Sequence, residues 1–313
     1  MNEQPNFRNI RVLDGSFSTE LTNVVNDFFE KDRPNWTFDA TIDKPKAVAE
    51  VHKRFLDAGV DDIETNTYHA CLPSLQRQGF DGPDLIKKAV NILKEVVASS
   101  SSARDVRMWG SIGSYAICFR GQAAEYTGAF VDVPPPTDIV KEMTVYHQKQ
   151  IKAMKDAGMF HMLFETVSSL KEAQAICDAL EIHSDVKAVI SFTCRKDGLS
   201  LRHGESFESA VKHILGNPKI IGFGINCTHP SAISSLLQSV RHIHHNKEVF
   251  VYPNSGKHEP TEGEASPMSI ILNSIKKWIE LGATTIGGCC GIDAKDIGSI
   301  RKKVDELNTG MNG

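Results

Sequence analysis

The sequence predicts a single (β/α)8 barrel domain over residues 1–313, and three observations predict it. Short apolar runs of strand length alternate with longer stretches of helical period, the alternation that builds a parallel sheet. Eight such units can be counted, the number that closes a barrel. No stretch between them shifts in composition as a domain boundary does: the serines from Ser99 to Ser102 and the prolines from Pro134 to Pro136 read as surface loops within one domain.

In chain order, the strands are expected to end near Leu13-Asp14, Glu64–Thr67, Gly110–Gly113, Phe164-Glu165, Ser191–Thr193, Gly224–Cys227, Val251–Asn254 and Ile286–Cys290. Of the helices, the one after the first strand is clearest. Asp43 is placed to cap it, Pro45 suits its first turn, Val48, Val51, Phe55 and Ala58 trace one apolar stripe, and Gly59 is its stop. Similar stripes run through Leu85, Ala89, Ile92 and Val96 and through Ile271, Ile275, Trp278 and Ile279, each preceded by a proline; Gly282 ends the latter.

With 41% hydrophobic and 24% charged residues the chain has the composition of a globular protein, and its formal net charge of -4 supplies no broad basic face for nucleic acid or an anionic membrane. The polar start, Met1 to Arg11, lacks the apolar stretch of a signal peptide, and no apolar run approaches the ~20 residues of a membrane span. The expectation is a cytoplasmic monomer or small homo-oligomer whose partners are small solutes. The seven cysteines are an odd count in a chain too large to need staples, so they read as free thiols or ligands. Adjacent Cys289 and Cys290 are poorly placed to bridge each other.

Catalytic groups of such barrels stand where strands end, and the polar residues there are Asp14, Thr67, Tyr68, His69, Ser114, Glu165, Cys227, Asn254, Cys289 and Cys290. The strongest local signal is Gly287-Gly288-Cys289-Cys290-Gly291. Side chains of neighbouring strand residues point to opposite faces, so two adjacent cysteines share a ligand only if the backbone turns, which the flanking glycines permit. Cys227 ends the sixth strand, and alternate strands feed the same interior layer, so it can meet the pair from the eighth. Three soft thiolates favour Zn2+ and leave its fourth position open, as catalytic rather than closed sites do. A thiol entering that position would be deprotonated. Taken alone, a cysteine at a strand end is usually a small buried hydrophobe; Cys71, Cys118, Cys177 and Cys194 are read that way.

Asp14, in Leu13-Asp14-Gly15-Ser16, and Glu165 are two carboxylates on the same rim. Either alone can serve as a helix cap or face water; together they can bind an α-ammonium group, with backbone amides near Gly15 and Ser16 taking the α-carboxylate. His242, His244 and His245 form another cluster, assigned to solvent at the barrel bottom. Trp36 and Phe38 are of a kind more often core than functional, though their place above the rim suits an apolar lid, and Trp36, Tyr68 and Tyr126 can face a donor cation.

Leu13 to Leu21, Gly224-Ile225-Asn226-Cys227, Val251 to Gly256 and Gly287 to Gly291 together resemble the homocysteine S-methyltransferase family over almost the whole chain. The resemblance is closest to short single-domain members that use S-methylmethionine or S-adenosylmethionine, and Ala124 to Gly128 resembles their donor-side loop. It implies a zinc barrel with Cys227, Cys289 and Cys290 as ligands, Asp14 and Glu165 at the homocysteine amino-acid moiety, and a place in methionine biosynthesis. Betaine-using relatives are longer, which makes betaine the less expected donor. Two features depart from the pattern: the loop from Asn23 to Asn35, and His69 where a glutamine is common.

The expected reaction is transfer of a methyl group from a sulfonium donor to homocysteine, giving methionine. Its rivals are a betaine- or selenocysteine-directed methyltransferase of the same family, a non-catalytic thiolate zinc module closed by His69, and a cysteine-nucleophile enzyme built on Cys290 and a histidine.

Overall fold

The computed structural model describes residues 9–101, 104–119, 124–243, 246–255 and 266–311. The chain begins with β1 (Arg11–Val12), followed by helices α1 (Phe17–Val24), α2 (Asp39–Asp43) and α3 (Pro45–Asp57). β2 (Asp62–Glu64) leads to α4 (Leu72–Arg77) and α5 (Gly82–Ser99), and β3 (Arg107–Gly113) to α6 (Ile139–Asp156). Then β4 (His161–Val167) alternates with α7 (Leu170–Leu180), β5 (Lys187–Phe192) with α8 (Phe207–Leu215), and β6 (Ile220–Asn226) with α9 (Pro230–Val240). β7 (Glu248–Tyr252), α10 (Pro267–Glu280), β8 (Thr285–Ile286) and α11 (Ala294–Met311) complete the set. All pairings are parallel in the order β1-β8-β7-β6-β5-β4-β3-β2, and a parallel bridge between Leu13 and Asp62 joins the two ends. The expected (β/α)8 barrel is the observed fold.

The helices form for the reasons their sequences give, with two differences. Val48, Val51 and Phe55 of α3 are buried as expected, and Gly59 takes φ +89 just beyond it. Asp43, however, does not cap α3: it is the last residue of α2 and its carboxylate pairs with Arg33 at 2.7 Å. On α5 the most buried residues are Ile86, Ala89, Val90 and Leu93, so the stripe is turned by one position from the expected one, and Leu85, Ile92 and Val96 pack at its edge. The wide apolar face of that helix allows either register in sequence.

Period two along the strands sorts the barrel interior into layers. At the N-terminal ends Arg11, Asp62, Arg107 and Glu248 form a charged floor: Asp62 accepts from Arg11 Nε at 2.7 Å and Arg107 Nε at 2.6 Å, and Arg107 Nη2 meets Glu248 at 2.6 Å. Trp109 stands on it, donating Nε1–H to Asp62 at 2.8 Å. An apolar middle layer of Leu13, Trp109, Leu163, Val189 and Phe250 follows. The same alternation then brings Glu64, Ser111, Glu165 and Tyr252 to the top, facing a cavity.

Candidate active site

That cavity has a volume of about 1280 Å³ and lies over the C-terminal ends of the strands. On its wall Cys227 Sγ is 2.8 Å from Cys289 Sγ and 3.5 Å from Cys290 Sγ. Among the described residues these thiols are the metal-capable group, their sulfurs all within 4.8 Å of one another.

Backbone devices hold them there. Cys227 sits at φ +46, a conformation its β-carbon disfavours. Its neighbour Asn226 accepts from the Thr166 amide at 3.0 Å and donates to Thr166 Oγ1 at 2.9 Å. Thr166 is itself at φ +58, where β4 bulges against β5. One amide side chain therefore ties the strand end bearing Cys227 to the one bearing Glu165. On the β8 side, the glycines chiefly allow close approach: a β-carbon on Gly288 would lie 2.2 Å from Ile292 Cγ2. Gly291, at φ +80, completes the turn. The Cys289 amide donates to Pro253 O and the Cys290 carbonyl accepts from the Ser255 amide, both at 2.8 Å, so the pair is anchored to the β7 loop.

The donor set fits a thiophilic ion such as zinc. Ligands about 2.3 Å from a tetrahedral zinc stand about 3.8 Å apart, near the longer of the two sulfur separations, and the shorter must open by about 1 Å. Contact with the Cys227 and Cys290 thiols, and then burial, pushes the Cys289 thiol well above its ordinary range, so this group gathers negative charge only around a cation. Among the described residues no histidine nitrogen, that of His69 included, lies within 4.8 Å of all three sulfurs. Burial lowers His69 to about 4, so its ring is neutral near pH 7 and forms part of the cavity wall.

Across the cavity stand three carboxyls, two expected and one not. Asp14 follows β1 and accepts from the Glu64 amide at 3.1 Å; Glu165 accepts from Ser111 Oγ; Glu64 hydrogen-bonds Glu165. Two carboxyls bonded to each other share a proton. Burial, then the charge of Glu165, raises Asp14 well above the usual carboxylate range, and the same two causes raise Glu64; burial raises Glu165 as well. Among the described residues no lysine or arginine forms an ion pair with any of the three. Glu64 was legible in principle, because alternation from the buried Asp62 points it inward at the top of β2.

The remaining expected residues divide. Tyr126 Oη lies 3.7 Å from Cys227 Sγ and 3.9 Å from Cys290 Sγ. Tyr68 packs edge-on to His69 at 4.6 Å, and Trp36, 47% exposed, lies over Phe29 at 4.5 Å on the cavity mouth. Asn254 lines the cavity. Phe38 takes the core reading and not the lid, wholly buried. The Ser16 amide donates to Ile292 O at 2.9 Å and its hydroxyl caps α1, so this amide is engaged within the protein rather than held for a carboxylate. A β-carbon on Gly15 would meet that same carbonyl at 2.7 Å. Thr67 and Ser114 turn into the scaffold, donating to Ser111 O and Glu172 Oε2, each at 2.7 Å. Of the other cysteines, Cys177 and Cys194 are in the core, while Cys71 and Cys118 touch at 3.1 Å. His242 pairs with Glu208 at 3.1 Å on the surface; His244, His245 and Gly256 lie outside the described residues. In the atypical 23–35 loop, Arg33 folds over the Phe28 ring at 4.0 Å.

The family model described as homocysteine S-methyltransferase matches residues 11–304. A Zea mays protein named homocysteine S-methyltransferase 1 is 30% identical, the match covering 93% of each chain. A Drosophila melanogaster protein named betaine-homocysteine S-methyltransferase is also 30% identical, covering 96% of this chain and 95% of its own, so length does not set this chain apart from a betaine-named relative. The metallated form of the Escherichia coli homocysteine methyltransferase MmuM superposes with a TM-score of 0.78 at 26% identity, over 95% of this chain and 96% of that one. No helix among the described residues is long and apolar enough to cross a membrane. With a barrel whose thiols and carboxyls share one cavity, and a family match running from the first strand into the last helix, the chain belongs to the homocysteine S-methyltransferase family.

Proposed function

We propose that this S-methyltransferase makes methionine from homocysteine and a sulfonium donor, S-methylmethionine or S-adenosylmethionine, with zinc held by Cys227, Cys289 and Cys290. The observation that carries the reading is the opposition, in one cavity, of three gathered thiols and three carboxyls that pair with no lysine or arginine among the described residues. A zinc ion on the thiols would supply a deprotonated homocysteine sulfur at neutral pH. Asp14, Glu165 and the newly found Glu64 bring the negative charge that an α-ammonium group neutralises. Homocysteine thereby spans the cavity with its sulfur toward the cysteines. Its sulfur then forms a bond to the donor methyl carbon while the donor's sulfur–methyl bond breaks and its electron pair leaves with the neutral thioether; the thiol proton passes to solvent. Negative sulfur meets positive sulfonium, so charge is lost on the way to the transition state and a water-poor site favours the step. Tyr126, Tyr68 and Trp36 offer aromatic surface to the donor cation and exclude water.

The test is to incubate zinc-loaded protein and homocysteine with S-methylmethionine, S-adenosylmethionine or betaine, and to measure methionine. Formation from a sulfonium donor is expected; turnover with betaine alone would move the donor assignment, and turnover of selenocysteine in place of homocysteine the acceptor. About one zinc per chain is expected, and Cys290→Ala should lose both metal and methionine formation. Full activity of metal-free protein would overturn the reading.

A further inference from the structure

We infer that Arg202 is the carboxylate receptor of the methyl-donor subsite. The inference rests on the methyl-transfer reading and adds a requirement to it, namely that the donor carries a carboxylate as well as its methyl-bearing cationic centre.

Arg202 lies on the cavity wall in a loop that folds back after β5, where Cys194 and Leu201 form an antiparallel bridge. Its backbone is fixed on both sides. The Arg202 amide donates to Thr193 O at 3.1 Å, and the Arg195 guanidinium donates to the Arg202 and His203 carbonyls, each at 3.0 Å. Neighbouring His203 is held by Asp132 at 3.0 Å. The cations around Arg202 thus spend their donors on the protein, whereas the Arg202 guanidinium makes only long hydrogen bonds among the described residues. Its Nε is 3.4 Å from Thr193 Oγ1 and its Nη2 is 3.5 Å from Cys227 O. Its guanidinium carbon lies 5.8 Å from the centre of the Tyr126 ring. Among the described residues no carboxylate pairs with it, while Arg33, Arg107 and Arg301 each hold one at 2.6–2.7 Å. A partly buried guanidinium on a fixed backbone in a cavity wall offers a planar fork suited to an incoming carboxylate.

Placement selects which carboxylate. Asp14, Glu64 and Glu165 lie at the strand ends and take the homocysteine ammonium, whereas Arg202 and Tyr126 come from loops beyond β5 and β3. Tyr126 reaches from one group to the other, its hydroxyl on the Cys227 and Cys290 thiols and its ring beside Arg202. A donor lying along Tyr126 can set its methyl-bearing cation toward the thiols and its carboxylate on Arg202. Like charge keeps the opposite orientation out, because the guanidinium repels the sulfonium or ammonium centre.

The experiment compares wild type, Arg202→Gln and Arg202→Lys with S-methylmethionine, its carboxamide, betaine and choline as donors. Arg202→Gln should raise the KM of whichever carboxylate-bearing donor is used about 10- to 100-fold, the loss expected for one charged hydrogen-bonded contact. The homocysteine KM and the zinc content should hold, the preference for S-methylmethionine over its carboxamide should collapse, and Arg202→Lys should recover part of the loss. A donor KM unchanged in Arg202→Gln overturns the inference. So does a rise confined to homocysteine, which would make Arg202 the receptor of the acceptor, or a loss of zinc, which would make it a brace for Cys227. If wild type forms no methionine from any donor, the functional reading fails by itself. Calorimetric titration of S-methylmethionine and its carboxamide into wild type and Arg202→Gln then decides the receptor, which is overturned if both proteins bind both compounds alike.

Discussion

The two ends of this barrel are built from the same side chains and treat them in opposite ways. Asp62 and Glu64 are two residues apart on β2 and point to the same interior. At the floor, Asp62 receives two guanidinium groups and an indole N–H between 2.6 and 2.8 Å. At the top, Glu64 faces two further carboxyls, and its own is raised by burial and by the charge of Glu165. The floor pairs its carboxylates with guanidinium groups, while the top gathers three carboxyls that no lysine or arginine pairs with among the described residues. That difference separates a carboxylate that holds the fold from one we assign to a ligand, and it can be tested from either end.

The largest effect on stability is expected at the floor. Asp62→Ala takes from Arg11 and Arg107, whose side chains are 31% and 25% exposed, and from the buried Trp109 N–H the one buried carboxylate they share, and loss of hydrogen bonds to a buried charged group costs about 3 kcal/mol. Urea unfolding at neutral pH measures it. A loss below about 1 kcal/mol, the scale of an exposed pair, would deny the floor its structural role.

Next comes the clasp that belongs to the top alone. Asn226→Ala removes both bonds to Thr166 and frees two residues held at positive φ, one of them Cys227. Lost hydrogen bonds to buried partners cost about 1–3 kcal/mol, and loss of groups that orient metal ligands weakens metal binding roughly 10- to 100-fold. Competition with a chromophoric chelator reads the second effect. Unchanged metal affinity beside lowered stability would make the clasp a feature of the scaffold only.

Glu165→Gln should behave oppositely to Asp62→Ala. It removes a buried carboxyl that no lysine or arginine pairs with among the described residues, so the melting temperature should hold or rise, while homocysteine KM rises about 10- to 100-fold from the lost ammonium contact. Destabilisation comparable to that of Asp62→Ala would show that the two ends do not differ in kind.

How much of this was legible in sequence follows from how local each feature is. The eight strand ends and the Cys289-Cys290 turn are written in contiguous residues, and Cys227 followed from the rule that alternate strands share a layer. Glu64 needed only period two carried one residue further. Asn226 stood in full view beside Cys227, but its partner is 60 positions away across a bulge that no local pattern announces. Arg202 reaches the cavity because a hairpin folds it back over the rim, and distance in sequence from any strand end hid it. Ser16 misled for the complementary reason: its amide looked free from the first strand, and only the return of the chain at Ile292 takes it up.

The smallest expected effect is a slope with pH, and it belongs to the top of the barrel. For an acid whose folded pKa lies above its unfolded one, the folded chain keeps a proton that the unfolded chain has released. Its stabilising share is full below the unfolded pKa and is lost as pH rises through the folded value. Asp14, Glu64 and Glu165 are all raised, from ordinary values of 3.8 for the aspartate and 4.5 for the glutamates. Substrate-free protein should therefore gain stability as pH falls from neutrality toward about 4.5, by up to about 1.4 kcal/mol per pH unit for each proton by which the states differ. Homocysteine, whose ammonium needs the ionised carboxylates, should bind more weakly over the same interval. Glu64→Gln removes one of the titrating groups and should flatten both trends, as read by melting temperature and by homocysteine KM against pH. If its profiles overlay those of wild type, the proton is not held between Glu64 and Glu165, and the top of the barrel is satisfied by some other arrangement of charge.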